Sequence, residues 1–181
     1  MTIDKNYPGL VPDGDHYQLN GDLITAGNLH IKINLIVMGR IKTGGSIYSL
    51  GFLAASKSIM SGGEIKTHGR IGSGASITSG GWIYSGDNII AIDWIEAAGE
   101  ILAINNIRSD GWIKVGGDIQ AGGPIQADGH ITAGGNITAC GTIETNKNIE
   151  AGGDVTSGGD IKTVDGIKSG GKVRSGLGII K

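Results

Sequence analysis

Aliphatic residues recur at every sixth position from Leu23 to Ile179, with no exception and no insertion. The pattern is cleanest between Pro124 and Ser157, where the chain reads PIQADG, HITAGG, NITACG, TIETNK, NIEAGG, DVTSGG. Each unit holds a variable residue, an Ile or Val, a second variable residue, a small Ala, Ser or Thr, and two turn residues. Side chains alternate across an extended strand, so the aliphatic and the small residue face one side and the residue between them faces the other. Six residues hold a three-residue strand and one corner, which is too short for a helix and too regular for a string of hairpins. The expected fold is all-β, a single-stranded β-solenoid (β-helix), because repetition on this scale outranks local secondary-structure preference.

Charge sets the number of hexads per coil. If three hexads close a triangle, residues 18 apart stack, and like charges there are avoided. That register places Glu96 under Lys114, Glu144 under Lys162, Glu150 under Lys168 and Asp154 under Lys172, with Glu100 and Asp118 as the one like-charged pair. The coil is therefore triangular with 18 residues, and about nine coils at about 4.8 Å each give a rod about 43 Å long. The second turn residue of each hexad, as at Gly129 and Gly135, is mostly Gly with some Asn and Asp, which predicts positive φ at that corner. Residues 1–22 carry two of the prolines and lack the repeat apart from Tyr17 and Leu19. They are expected to form an N-terminal cap on a solenoid spanning 23–181.

The solenoid phrase Gly117-Asp118-Ile119-Gln120-Ala121 is of the G-x-I-x-A kind and resembles bactofilins, the bacterial polymer-forming cytoskeletal proteins. That resemblance implies a right-handed triangular β-helix, in keeping with the general preference for right-handed crossovers, and a self-assembling structural role. The pattern is also similar to the hexapeptide-repeat acyltransferases, but there the small residue precedes the aliphatic one, whereas here it follows.

Composition narrows the function classes. With 35 Gly, 3 Pro and one Phe the chain suits a stack of corners. A net charge of -2 supplies no basic footprint for nucleic acid or for an anionic membrane. No apolar run is long enough to span a membrane, and MTIDKNYPGL lacks the order of a signal peptide, so a cytoplasmic protein is expected, with leaderless export left open. The lone Cys140 reads as an inert thiol. His16, His30, His68 and His130 do not converge in the 18-residue register, and no metal-ligand spacing occurs. Gly116-Gly117 and Gly152-Gly153 look like phosphate loops by composition alone, since no helix follows them. A narrow solid core leaves no room for a cofactor, so none is expected, and neither is enzymatic activity.

What remains is surface. Between residues 82 and 112 the outward and corner slots carry Trp82, Tyr84, Ile90, Ile92, Trp94, Leu102, Ile104 and Trp112, including all three tryptophans. Trp94 should stack beneath Trp112, and Tyr84 beneath Leu102, forming one contiguous apolar patch for a protein partner. The alternative is that Ile92 and Ile104 tuck into the corners. The primary expectation is a non-enzymatic binding protein of accessory, inhibitor or immunity type. The second is self-assembly of bactofilin type, and the third a glycan- or ice-binding surface. Thr138 and Thr156 share a column, but Gln120 and Arg174 interrupt it, which disfavours ice; the Trp94/Trp112 stack suits sugar. The final apolar residues Leu177, Ile179 and Ile180 are expected to mediate homo-oligomerisation through the C-terminal coil.

Overall fold

The computed structural model describes residues 1–180. Each aliphatic slot opens a three-residue strand, such as Ile125–Ala127 or Ile131–Ala133, and the next three residues turn the corner. Strands three hexads apart pair in parallel, Ile113 with Ile131 and Ile131 with Ile149, so the triangular coil is observed directly. Among the described residues the three sides are sheets of ten, eleven and nine strands, parallel throughout except where Leu10–Asp13 pairs with His16–Leu19. Face 1 runs from Thr2–Ile3 to Val173–Ser175, face 2 from Leu10–Asp13 to Ile179–Ile180, and face 3 from Leu23–Thr25 to Gly166–Ser169. The chain visits faces 3, 1 and 2 in turn.

The aliphatic column fills the interior. From Leu29 to Ile161 every one of these side chains is at most 1 % exposed. The small slot also points inward, and its Ser and Thr residues have a task that their size does not reveal. Ser61 Oγ donates to the Gly45 carbonyl of the preceding coil at 2.7 Å, and Ser79, Ser85, Ser109 and Ser157 repeat the bond to their own preceding corners. A hydroxyl at that slot thus gives a corner carbonyl a donor, in addition to the backbone N–H of the next coil at Gly45, Gly63 and Gly141.

The corners depart from the expectation of positive φ. Among the described residues only Gly9, Gly14, Gly21 and Gly166 have positive φ, and no other residue type does. Gly129 and Gly135 are glycine for a different reason, namely clearance from the coil beneath. A Cβ on Gly129 would stand 3.0 Å from the Gly111 carbonyl carbon, and one on Gly134 would come within 3.0 Å of the Gly116 oxygen. The demand is strongest at the corner from face 3 to face 1, where Gly-Gly recurs at 44–45, 62–63, 80–81, 116–117, 134–135, 152–153 and 170–171. There, Asn28, Asp118, Asn136 and Asp154 each turn a side-chain oxygen up to the N–H of the equivalent residue one coil later, at 2.7–2.9 Å. Gly45, Gly135, Gly153 and Gly171 leave space for that oxygen.

The N-terminal segment closes one end. Thr2–Ile3 pairs in parallel with Leu29–Ile31 on face 1, and Leu10–Asp13 pairs antiparallel with His16–Leu19 through a turn in which Gly14 adopts φ 61°. His16–Leu19 is itself a solenoid strand, paired in parallel with Leu35–Val37, so the stack begins ahead of Leu23, inside the segment expected to be cap alone. Pro12 lies in the edge strand, where its missing N–H blunts further pairing. At the other end Val173 is only half-buried, and Leu177, Ile179 and Ile180 are 80 %, 47 % and 51 % exposed. No helix is long and apolar enough to cross a membrane among the described residues.

Candidate functional site

The outward slot of every strand forms a column along its face, so function must be read column by column. Both predicted stacks are present. The indoles of Trp94 and Trp112 lie 5.7 Å apart and nearly parallel at 12°, and Tyr84 is the register partner of Leu102. They do not form one patch, and the expectation of contiguity is corrected. Tyr84 and Leu102 lie on face 1, Trp82 on the corner before it and Ile104 on the corner after it. Ile90 lies on face 2, while Ile92, Trp94 and Trp112 occupy the corner between faces 2 and 3. The reason is geometric: each hexad turns the chain through a third of a circuit, so sequence neighbours one or two hexads apart look in different directions. Ile92 and Ile104 do not tuck into their corners, being 55 % and 50 % exposed.

Face 1 holds a longer ladder than the sequence reading found. His30 and Tyr48 stack with ring centroids 5.3 Å apart, and Lys66 places its Nζ 5.6 Å from the centroid of Tyr84, above which Leu102 continues the column. His30, Tyr48 and Lys66 were missed because they lie outside the tryptophan-rich segment; reading the chain coil by coil would have found them. The Tyr48 hydroxyl donates to Glu64 on the adjoining corner, and this bond raises the Tyr48 pKa above the ordinary tyrosine value. A groove of about 330 Å³ runs beside the ladder, lined by His30, Lys32, Tyr48, Leu50, Lys66 and His68. His30 and His68 therefore share one groove, contrary to the expectation that the histidines stay apart. His68 also lines a neighbouring groove together with His16 and Arg70. The two histidines stand in different columns, and side chains from a face and its next corner converge across the groove. Among the described residues no group of three or more His, Cys, Asp or Glu could hold a metal ion.

Face 3 carries the other concentration of chemistry. Its outward column runs Glu96, Lys114, Thr132, Glu150, Lys168, with each successive pair in register. Trp94 and Trp112 border it, and His130 and Asn148 follow them up the same corner. A groove of about 320 Å³ lies between this corner and the column. Cys140 is exposed on the corner between faces 1 and 2, unpaired to any other cysteine. Thr138 and Thr156 are register partners on face 1, flanked by Gln120 and Arg174 as the sequence implied.

Comparison with known proteins adds no relative: no family model matches the chain, and no curated protein or solved structure matches it either.

Proposed function

We propose that the protein is a non-enzymatic binding scaffold that presents face 1 to a protein partner. The observation that supports this reading is the His30–Tyr48–Lys66–Tyr84–Leu102 ladder, an outward column of three rings, one cation and a leucine, with His30 and Lys66 exposed and the other three half-buried, on a backbone held by hydrogen bonds on both sides. Aromatic side chains on a rigid support lose little conformational entropy on docking, which is why Tyr and Trp anchor interfaces. Trp82 and Ile104 on the flanking corners extend the apolar area, and Lys32 and Lys66 give the groove side a cationic rim suited to an acidic partner segment. Partner recognition of this kind needs no cofactor and no chemistry at the surface.

Site-specific photocrosslinking tests the assignment. A photoreactive side chain at position 84 should capture one partner, and the yield should fall with salt, because exposed charges are screened over about 8 Å at physiological ionic strength. The same group at Gln126 on face 2 should capture nothing. Equal capture from both positions, or none from position 84, rejects face 1 as the docking surface.

A second reading, self-assembly of the bactofilin kind, is supported by the half-exposed apolar cross-section at Val173, Leu177, Ile179 and Ile180. A second copy seated there would bury it, making a closed dimer if the contact is isologous and a filament if it is head to tail. Light scattering over a concentration series distinguishes these states. Ile179→Asp should dissociate the assembly while Tyr84→Ala leaves it intact, and a monomer at all concentrations removes this reading.

A further inference from the structure

We propose that the groove beside Trp112 on face 3 is a binding site for a neutral oligosaccharide. Its wall includes the Trp112 indole, whose orientation is held by the stacked ring of Trp94, itself outside the groove lining. The C–H face of a pyranose packs on such a ring, and the ring hydroxyls then need both donors and acceptors close by. The groove supplies both from Lys114, His130, Thr132, Asn148 and Glu150.

These groups are organised before any ligand arrives. His130 Nδ1 is hydrogen-bonded to the Asn148 amide oxygen, which can only accept, so the imidazole donates there. The Asn148 amide N–H in turn donates to Glu150 Oε1 at 2.8 Å. Lys114, Thr132 and Glu150 stand in register on successive strands, spaced by about 4.8 Å, and so offer a cation, a hydroxyl and a carboxylate in a row. Neither Lys114 nor Glu150 takes part in any ion pair of the described residues.

Other ligand classes fit less well. One ammonium and one carboxylate leave the lining with no net charge, so a phosphate or other anion gains no attraction there. Strand addition by a peptide is blocked, because Ile113–Val115 and Ile131–Ala133 are interior strands whose edges are already paired. A volume of about 320 Å³ lies at the small end of ligand sites, and the groove opens along the face, as a segment of a chain of sugars requires.

Calorimetric titration of the intact protein with cellohexaose, N-acetylchitohexaose and mannohexaose tests the site. At least one probe should bind at millimolar concentration or below, with Trp112→Ala weakening it at least tenfold and Lys114→Ala or Glu150→Gln weakening it by a smaller factor. Trp82→Ala and Tyr84→Ala should leave the affinity unchanged, which separates this site from the protein-docking reading of face 1. Should Trp112→Ala fail to fold, the exposed Lys114→Ala variant carries the test alone. Absence of binding by all three probes, or binding unaffected by every face 3 variant, overturns the proposal.

Discussion

Gly135 offers the sharpest test of why the corners are glycine. Its φ is not positive, so Ala is permitted by the backbone, yet a Cβ there would collide with Asp118 Oδ1. That oxygen accepts the Asn136 N–H at 2.7 Å. Displacing it loses a hydrogen bond to a charged group, worth about 1.5 kcal/mol at the low end appropriate to an exposed site. Against this, Gly→Ala restricts the unfolded chain and stabilises by about 0.4–1 kcal/mol where the conformation is compatible. Gly135→Ala should therefore cost about 0.5–1 kcal/mol in the wild-type background. With Asp118→Ala already in place the collision is gone, and the same change should become stabilising by about 0.4–1 kcal/mol. The remaining close approach, 3.3 Å to the Asp118 N, is common to both backgrounds and cancels in the cycle. The coupling of about 1.5 kcal/mol corresponds to a difference of about 3–6 °C in Tm for a chain of this size. Thermal and urea melts of the four proteins measure it. An identical cost of Gly135→Ala in both backgrounds would refute the clearance argument and return the corner to a purely backbone explanation.

Three further outcomes follow from the packing. Ile131→Ala, at a fully buried slot in mid-rod, should cost about 2–5 kcal/mol in urea melts, whereas Ile179→Ala, half exposed at the end, should cost under about 1 kcal/mol. Gly152→Ala forces a Cβ within 3.0 Å of the Gly134 carbonyl, a backbone atom, and should cost about 1–3 kcal/mol irrespective of any side-chain deletion nearby. The Asp154 carboxyl is held below its ordinary pKa, chiefly by the Lys172 backbone N–H and next by Arg174. Its contribution is thus complete above the ordinary carboxylate pKa and is lost as pH falls through the lowered folded value. The Tm advantage of wild type over Asp154→Asn should be present at neutral pH and vanish in acid; an advantage that persists unchanged in acid would contradict this origin.

The strands, the core and the coil were legible without coordinates, and for one reason. In a solenoid the same chemical decision is repeated in every hexad, so the Ile column announces itself, and stacking of every third hexad brings Glu96 to Lys114 and Trp94 to Trp112 by arithmetic. Seven of the nine Gly-Gly pairs are separated by multiples of 18 residues and so carry the same period. What the sequence did not disclose is whatever depends on the distance between neighbouring coils or on direction around the axis. Glycine at a corner is compatible with positive φ and with steric clearance alike, and only the position of the carbonyl beneath Gly134 or the carboxylate beneath Gly135 decides between them. Likewise Tyr84 and Trp94 are close in sequence but face apart, since each hexad carries the chain to another side of the triangle. His30 and His68, two coils apart, meet because side chains from a face and its following corner reach into one groove. Periodicity determines what lies inside; the angle between faces, set only by closure of the coil, decides which outward residues can act together.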